Sequence, residues 1–283
     1  MVDGETGKLV HWETGALRPD QPTNLPIYQR TKNIAHRGAS AAAPANTLAA
    51  FEKAVELGAD GIEFDVHLSA DGVPVVIHDF TVDATTDGSG RVAEMTLAQL
   101  KRLDAGSCFD PAFAGERIPT LQEVLEAVGN RLLLNIELKS VSLHDNGLER
   151  AVIALVEQHD GGCGQPLGNS VIISSFNPLS LRRAKKIAPH IPVGLLYSPD
   201  LPLPLRRAWV APLIPHEARH PEHTMVDAHY MAWARRRGYR VNTWTVDDPD
   251  EMHRLIGLGV DAIITNVPDV LHSVLETMRK RSA

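Results

Sequence analysis

The sequence predicts a (β/α)8 barrel, and three observations carry that expectation. Short apolar runs of strand length alternate with stretches of helical periodicity from Asn33 onward, giving about eight strand–helix units over ~250 residues. Capping residues mark the starts of the helical stretches. Ionisable and polar residues gather where the strands end: His36-Arg37, Glu63 with Asp65 and His67, His78-Asp79, Glu137 with Lys139, Ser174 to Phe176, and Asn242 to Trp244. Barrel enzymes place their chemistry at the C-terminal ends of the strands. A doubly wound sheet would instead want a glycine-rich turn after its first strand, with an acidic residue about 20 positions on. His36-Arg37-Gly38-Ala39-Ser40 is not that pattern.

The elements follow in order. Residues 1–30 lack periodicity, carry Pro19, Pro22 and Pro26, and read as an irregular extension ahead of a single barrel domain over 31–283. Asn33 to His36 is a short strand. Thr47 to Leu57 is a helix with Leu48, Phe51 and Val55 on one face, capped by Asn46 or Thr47 and ended by Gly58. Ile62 to His67 alternates apolar and ionisable residues in period two, so Glu63, Asp65 and His67 share one face. A strand over Val75 to His78 and a polar turn over Thr86 to Gly90 follow. Thr96 with Gln99, and Thr120 with Glu123, are capping boxes. The first opens a helix with Leu97, Leu100 and Leu103 on its face; the second opens one with Leu121, Val124, Leu125 and Val128. Asp104 to Gly115 reads as an inserted loop. Arg131 to Lys139 is a strand on which Asn135, Glu137 and Lys139 share a face. The remainder reads as helix 147–158, strand 171–175, helix 178–187, strand 192–197, a proline-rich connection, strand 214–219, helix 224–237, strand 240–245, helix 248–257, strand 260–264 and a last helix from Pro268. Leu271, Val274, Leu275 and Met278 form the buried stripe of that last helix.

Composition narrows the function. Of 283 residues, 43% are hydrophobic, enough for a large core, and the net charge of -7 with no long basic run argues against a nucleic-acid partner. Cys108 and Cys163 are too few for a disulfide framework and fit no zinc spacing; Cys108 is expected to pack as a small apolar residue. No apolar run of signal-peptide or membrane-spanning type appears, so the default location is the cytoplasm.

Glu63, Asp65 and Glu137 form the constellation that carries chemistry. Three carboxylates without a thiolate suit a hard divalent cation, Mg²⁺ or Ca²⁺. Arg37 and Lys139 beside them make a place for an anion of spread charge, above all a phosphate. His36 and His78 are two groups able to exchange protons near neutrality, one as acid and one as base. Phe176 and Trp244 are candidate walls of a substrate pocket.

These residues stand in motifs that resemble the glycerophosphodiester phosphodiesterase family. They are Ile34 to Gly38, Asn46-Thr47, Gly61 to Val66, Val76 to Asp79, Leu103 to Gly106, Ile118 to Leu121, Ile136 to Lys139 and Asn242 to Val246, in family order from about Asn33 to Thr265. The resemblance implies a (β/α)8 barrel with a small insertion after the second strand. It implies hydrolysis of glycerophosphodiesters, such as glycerophosphocholine or glycerophosphoethanolamine, to glycerol 3-phosphate and an alcohol. It further implies a divalent cation on Glu63, Asp65 and Glu137, acid/base work by His36 and His78, and phosphate binding by Arg37 and Lys139. His36 is expected to be the base and His78 the acid, while His67, outside the motif, is expected to be structural. The family usually has Pro-Glu-Asn-Thr where this chain has Pro44-Ala45-Asn46-Thr47. Loss of a carboxylate that supports the cation or Arg37 costs roughly 10- to 100-fold in affinity.

Weaker signals remain. His216, His220 and His223 have an H-x3-H-x2-H spacing that could suit a second metal, although a structural role is the stronger expectation. Arg182-Arg183 with Lys185-Lys186, and Arg235 to Arg237, are expected to be solvated faces. Two alternative functions share the barrel. A lysophospholipase D would need an acyl groove, for which Phe109 to Phe113 and Leu201 to Leu205 are candidates; a catalytically silent barrel would only bind phosphorylated ligands.

Overall fold

Eight strands run parallel and close on themselves in a computed structural model that describes residues 31–141, 143–163, 170–206 and 214–282. The extension expected over 1–30 lies outside the described residues. The barrel strands are β1 (Lys32–His36), β2 (Gly61–Leu68), β4 (Leu133–Leu138), β5 (Val171–Ser175), β6 (Val193–Tyr197), β7 (Ala218–Pro221), β8 (Arg240–Thr243) and β9 (Ala262–Thr265). Strand β1 pairs with both β2 and β9, which closes the ring. A ninth strand, β3 (Pro74–Val76), pairs antiparallel with the end of β2 and stands outside the ring. The helices that wrap the barrel are α1 (Leu48–Glu56), α3 (Leu121–Val128), α4 (Leu148–Cys163), α5 (Pro178–Ile187), α7 (Ala228–Arg236), α8 (Pro249–Leu258) and α9 (Pro268–Ser282), with short α2 (Leu97–Leu100) and α6 (Leu203–Arg206) in connections.

Period two explains the packing. Outward residues such as Phe64, Val66, Ile136 and Ile173 meet Phe51, Val124, Val152 and Leu181 from the helices in the main core. Inward residues Ile34, Leu133, Ile172, Ala218, Ala262 and Ile264 fill the bottom of the barrel. Both faces of β2 are therefore buried, and its ionisable residues point inside the ring rather than to solvent. The capping boxes at Thr96 and Thr120 form as expected, and Thr47 rather than Asn46 caps α1 by accepting from the Ala50 N–H. The segment from β3 to α3 is the expected insertion; it holds its own small core of Val75, Ile77, Val82, Val92, Leu100 and Ile118.

Several boundaries differ from the sequence reading, each for a local reason. The strand expected over 214–219 starts at Ala218, because Pro215 lacks an N–H for a ladder and His216 Nδ1 bonds the Ile214 carbonyl. The helix expected over 224–237 is broken into a 3₁₀ turn at His223–Met225 and α7, since Asp227 stops and restarts it as the N-cap, accepting from the Tyr230 N–H. The strand expected to reach His78 ends at Val76, where the chain leaves β2 for the insertion.

Two packing expectations are also corrected. Cys108 is exposed, not packed. Arg183 and Lys185 are not freely solvated: Arg183 donates from Nε to the buried Glu149, and Lys185 spans the Pro189 and Ile191 carbonyls and Glu217. No helix of the described residues is long and apolar enough to cross a membrane.

Candidate active site

Strand register assembles the carboxylates. On neighbouring parallel strands Glu63 lies opposite His36 on one side and Asn135 on the other, and Asp65 lies opposite Glu137. Inward parity turns all of them to the barrel axis, and one oxygen from each of Glu63, Asp65 and Glu137 falls within 4.8 Å of the others. Their exposures are 4%, 1% and 8%. Among the described residues no other acidic, histidine or cysteine cluster has this geometry.

The loop after β1 brings up the positive charge. Arg37 takes a left-handed conformation, φ 57°, which a non-glycine residue adopts only when its surroundings hold it. Its N–H donates to the Glu63 carbonyl at 2.7 Å and its carbonyl accepts from Asn46, itself at φ 61°. This turn sets the Arg37 Nε 3.3 Å from Asp65 Oδ2, an ion pair too bent for a hydrogen bond. Asn46 Nδ2 donates to the same oxygen at 2.9 Å. Lys139 Nζ lies 3.1 Å from Asp65 Oδ1 and 2.8 Å from Glu137 Oε1. Three buried carboxylates thus share two cationic side chains. Burial would raise Asp65, but Lys139 and Arg37 hold it below its usual range. Glu63 is pushed well up by burial and by Asp65 and Glu137, and Glu137 is pushed up to about 7, first by burial and then by Asp65. The cluster lacks one positive charge. An all-oxygen, buried donor set of this kind fits a hard divalent cation.

Both histidines flank the cluster. His36 Nδ1 contacts Asn266 Oδ1 at 2.7 Å, and that oxygen also accepts from Ser40 Oγ at 2.8 Å. Asn266 Nδ2 donates to Asp247 at 2.6 Å, which fixes the amide with its oxygen toward the imidazole. Asp247 is held in turn by Thr265 Oγ1 and the Asn266 N–H. His36 therefore carries its proton on Nδ1 and turns a free Nε2 lone pair toward the site, 3.8 Å from Glu63 Oε2. Burial, and then Arg37, lower His36 to about 4, so it is neutral at physiological pH. His78 Nδ1 meets Asp79 Oδ1 at 2.6 Å. Burial lowers His78 while Asp65 and Asp79 oppose the change. His67 contacts the His78 carbonyl at 3.0 Å through Nε2 and packs edge-on against Phe80, a supporting position behind His78.

A cavity of about 100 Å³ opens onto these groups and has Phe176 and Trp244 in its wall. The two rings meet edge-to-face with centroids 5.5 Å apart, and Trp244 Nε1 donates to the His220 carbonyl. Beyond Phe176 a larger apolar groove of about 600 Å³ runs over Val141, Leu143, Leu179, Leu201 and Ile214. Of the residues considered for an acyl groove, Leu201 lines it, whereas Phe109 and Phe113 meet edge-to-face and do not. The three spaced histidines do not converge. His216 stacks on Tyr239, His220 points into the barrel and accepts from Asn242 Nδ2, and His223 meets Glu251.

A sequence profile of the glycerophosphoryl diester phosphodiesterase family matches residues 36–270. The chain belongs to that family. A glycerophosphodiester phosphodiesterase of Caldanaerobacter subterraneus subsp. tengcongensis is 45% identical over 243 residues, covering 86% of this chain and 96% of the relative. A Bacillus subtilis glycerophosphodiester phosphodiesterase is 33% identical and covers 89% and 88%. Among solved structures, an Oleispira antarctica phosphodiesterase in complex with the product sn-glycerol-3-phosphate superposes with a TM-score of 0.75 at 33% identity, covering 88% of this chain and 99% of that one. A glycerophosphodiester phosphodiesterase of Agrobacterium tumefaciens gives 0.73 at 30% identity, covering 86% and 99%.

Within this family of phosphoric diester hydrolases, the phosphodiesterase fold explains what the sequence could not supply. Ala45 stands beside Arg37 and Asn46 at a small cavity of about 30 Å³ that also touches His78. Arg37 relies there on Asp65 alone among carboxylates within ion-pair distance in the described residues. Asn266 and Asp247 escaped the sequence reading because the quoted motifs end at Thr265 and Val246, one residue before each, and no spacing rule links either to His36.

Proposed function

We propose that this phosphodiesterase hydrolyses glycerophosphodiesters such as glycerophosphocholine and glycerophosphoethanolamine to sn-glycerol 3-phosphate and the alcohol, using one divalent cation, Mg²⁺ or Ca²⁺. The carrying observation is the buried trio of Glu63, Asp65 and Glu137 with only Arg37 and Lys139 to balance it. Glu63, Asp65 and Glu137 would hold the cation, whose contribution is Lewis-acid neutralisation of charge on the phosphoryl oxygens. Arg37 and Lys139 stand at the cavity and bind the phosphate, and such preorganised charge is the largest catalytic effect to expect here. His36, with its Nε2 lone pair turned inward, takes the proton of the attacking hydroxyl, either water or the neighbouring glycerol hydroxyl. The new O–P bond forms as the bond to the alcohol breaks. Where the glycerol hydroxyl attacks, the product of this step is a cyclic phosphate; a water then adds to phosphorus as one ring P–O bond breaks to give glycerol 3-phosphate. His78 Nε2–H gives its proton to the departing alkoxide, while Asp79 supports the ring at Nδ1. Phe176 and Trp244 exclude water from one side of the cavity.

Release of glycerol 3-phosphate from glycerophosphocholine tests the reading. Activity is expected to vanish in EDTA and to return with Mg²⁺ or Ca²⁺. No turnover with any divalent cation would leave a phosphate-binding barrel, and turnover of long-chain lysolipids alone would shift the assignment to a lysophospholipase D.

Asn266 acts as a positioning residue. Asn266→Ala frees the His36 ring to rotate and change tautomer, so kcat is expected to fall about 10- to 100-fold with KM nearly unchanged. A matching rise in KM would place Asn266 in substrate binding instead.

A further inference from the structure

One side of the barrel rim is apolar and open to water. Among the described residues the large hydrophobic side chains that stand exposed are few. Four of them, Val141, Leu143, Leu179 and Leu203, lie on the connections that leave β4, β5 and β6, the others being Phe80, Phe109 and Ile187. Val141 and Leu143 project furthest, at 81% and 75% exposure. The groove of about 600 Å³ runs past Val141, Leu143 and Leu179, and Phe176 lines both that groove and the catalytic cavity. Contiguous apolar surface of this kind marks a place that another surface covers.

Helix α5 adds positive charge to the same side. Leu179, Arg182 and Lys186 fall at i, i+3 and i+7, which makes them one exposed helix face. Arg183 and Lys185 are taken by Glu149 and Glu217, but Arg182 and Lys186 have no ion-pair partner among the described residues. Glu149 is buried and also accepts from Ser180 Oγ, so it does not neutralise this face. The acids of the flanking connections, Asp145 and Asp200, are matched in number by Arg150 and Arg206. A cationic face therefore stands on a chain whose net charge is -7.

The mixture of side chains selects the partner. Protein–protein contacts centre on Trp, Tyr and Arg and are depleted in Lys. Here the projecting side chains are aliphatic, a lysine flanks them, and the half-buried Phe176 is the one aromatic residue lining the groove among the described residues. Aliphatic side chains beside Lys and Arg are the pattern of a surface that enters the headgroup boundary of a bilayer.

We propose that this face docks on a membrane surface containing anionic lipid. Val141, Leu143 and Leu179 enter the acyl boundary, while Arg182 and Lys186 meet the headgroups. Because Phe176 belongs to both walls, docking holds the catalytic mouth beside the headgroup layer. The inference does not depend on which diester the enzyme hydrolyses.

Co-sedimentation of the full chain with vesicles at about 0.15 M salt tests it, comparing phosphatidylcholine alone with phosphatidylcholine carrying about 30% phosphatidylglycerol. The wild type is expected to partition onto the anionic vesicles about tenfold or more better than onto the neutral ones, at about fivefold per cationic side chain. Arg182→Glu with Lys186→Glu should erase that preference, and Val141→Ser with Leu143→Ser should lower partitioning about tenfold. All four positions are exposed, so an unchanged melting temperature is expected and reports that the variants are folded. Absence of wild-type binding to anionic vesicles, equal binding to both compositions, or binding that the folded variants retain would overturn the proposal. Concentration-dependent self-association that the same variants abolish, without vesicle binding, would overturn it in favour of a second copy of the chain.

Discussion

His36→Ala and His78→Ala are each expected to slow hydrolysis of glycerophosphocholine by about 10²- to 10⁴-fold, with only the second rescued by a better leaving group. The asymmetry follows from the ring partners. His36 gives its Nδ1 proton to an amide oxygen and, lowered to about 4, stays neutral, a state suited to accepting a proton. His78 has a carboxylate at Nδ1, which stabilises the protonated ring that donation requires. A diester that releases p-nitrophenolate needs no proton on its leaving oxygen, so His78→Ala should keep most of its activity there while His36→Ala remains slow. Rescue of His36→Ala in place of His78→Ala would exchange the two roles. Activity near wild type on glycerophosphocholine for either variant would remove that residue from the mechanism.

Glu63→Gln is expected to abolish cation-dependent turnover and at the same time to stabilise the cation-free protein at alkaline pH. Glu63 and Glu137 are raised above their ordinary value of 4.5 in the folded state, Glu137 to about 7. The folded protein therefore holds protons that the unfolded chain has released. The stability this confers is fully present below the unfolded pKa and is lost as pH rises through the folded one. In EDTA the wild-type melting temperature should fall between about pH 5 and pH 8. Added cation should reverse the loss at the upper end. Glutamine at position 63 carries no charge to repel Asp65 and Glu137, and about 1–2 kcal/mol of gain at pH 8 is the expected scale. Asp65→Asn should do the opposite. Asp65 is the carboxylate that Lys139 and Arg37 hold ionised, and removing it leaves the half-buried Arg37 without its carboxylate and Lys139 with Glu137 alone, at about 1–3 kcal/mol. A Glu63→Gln protein that melts below wild type in EDTA at pH 8 would show that the charge of Glu63 is already balanced without a cation.

Much of this was legible in the sequence, because period two is a strong constraint. Once Ile62, Phe64 and Val66 face the helices, Glu63 and Asp65 must enter the barrel, and the same parity on β4 delivers Glu137. Lys139, placed on the face of Glu137 by that rule, meets it at 2.8 Å. What parity does not carry is how side chains from distant segments meet. The left-handed turn at Arg37 depends on the Glu63 carbonyl and on Asn46. The start of β7 was misplaced because Ile214 reads as strand while Pro215 and His216 prevent a ladder there.

The pairing of β1 with β9 has a kinetic meaning. His36 and its Asn266 acceptor are 230 residues apart, the separation of the two strands that close the ring. A chain emerging during synthesis contains all three carboxylates by Glu137, roughly half-way along, but has nothing to orient His36 until its last strand docks. The carboxylates are present early, while His36, the proposed base, is oriented only by a contact made over the greatest loop, the kind that forms most slowly. The appearance of activity is thereby tied to completion of the barrel.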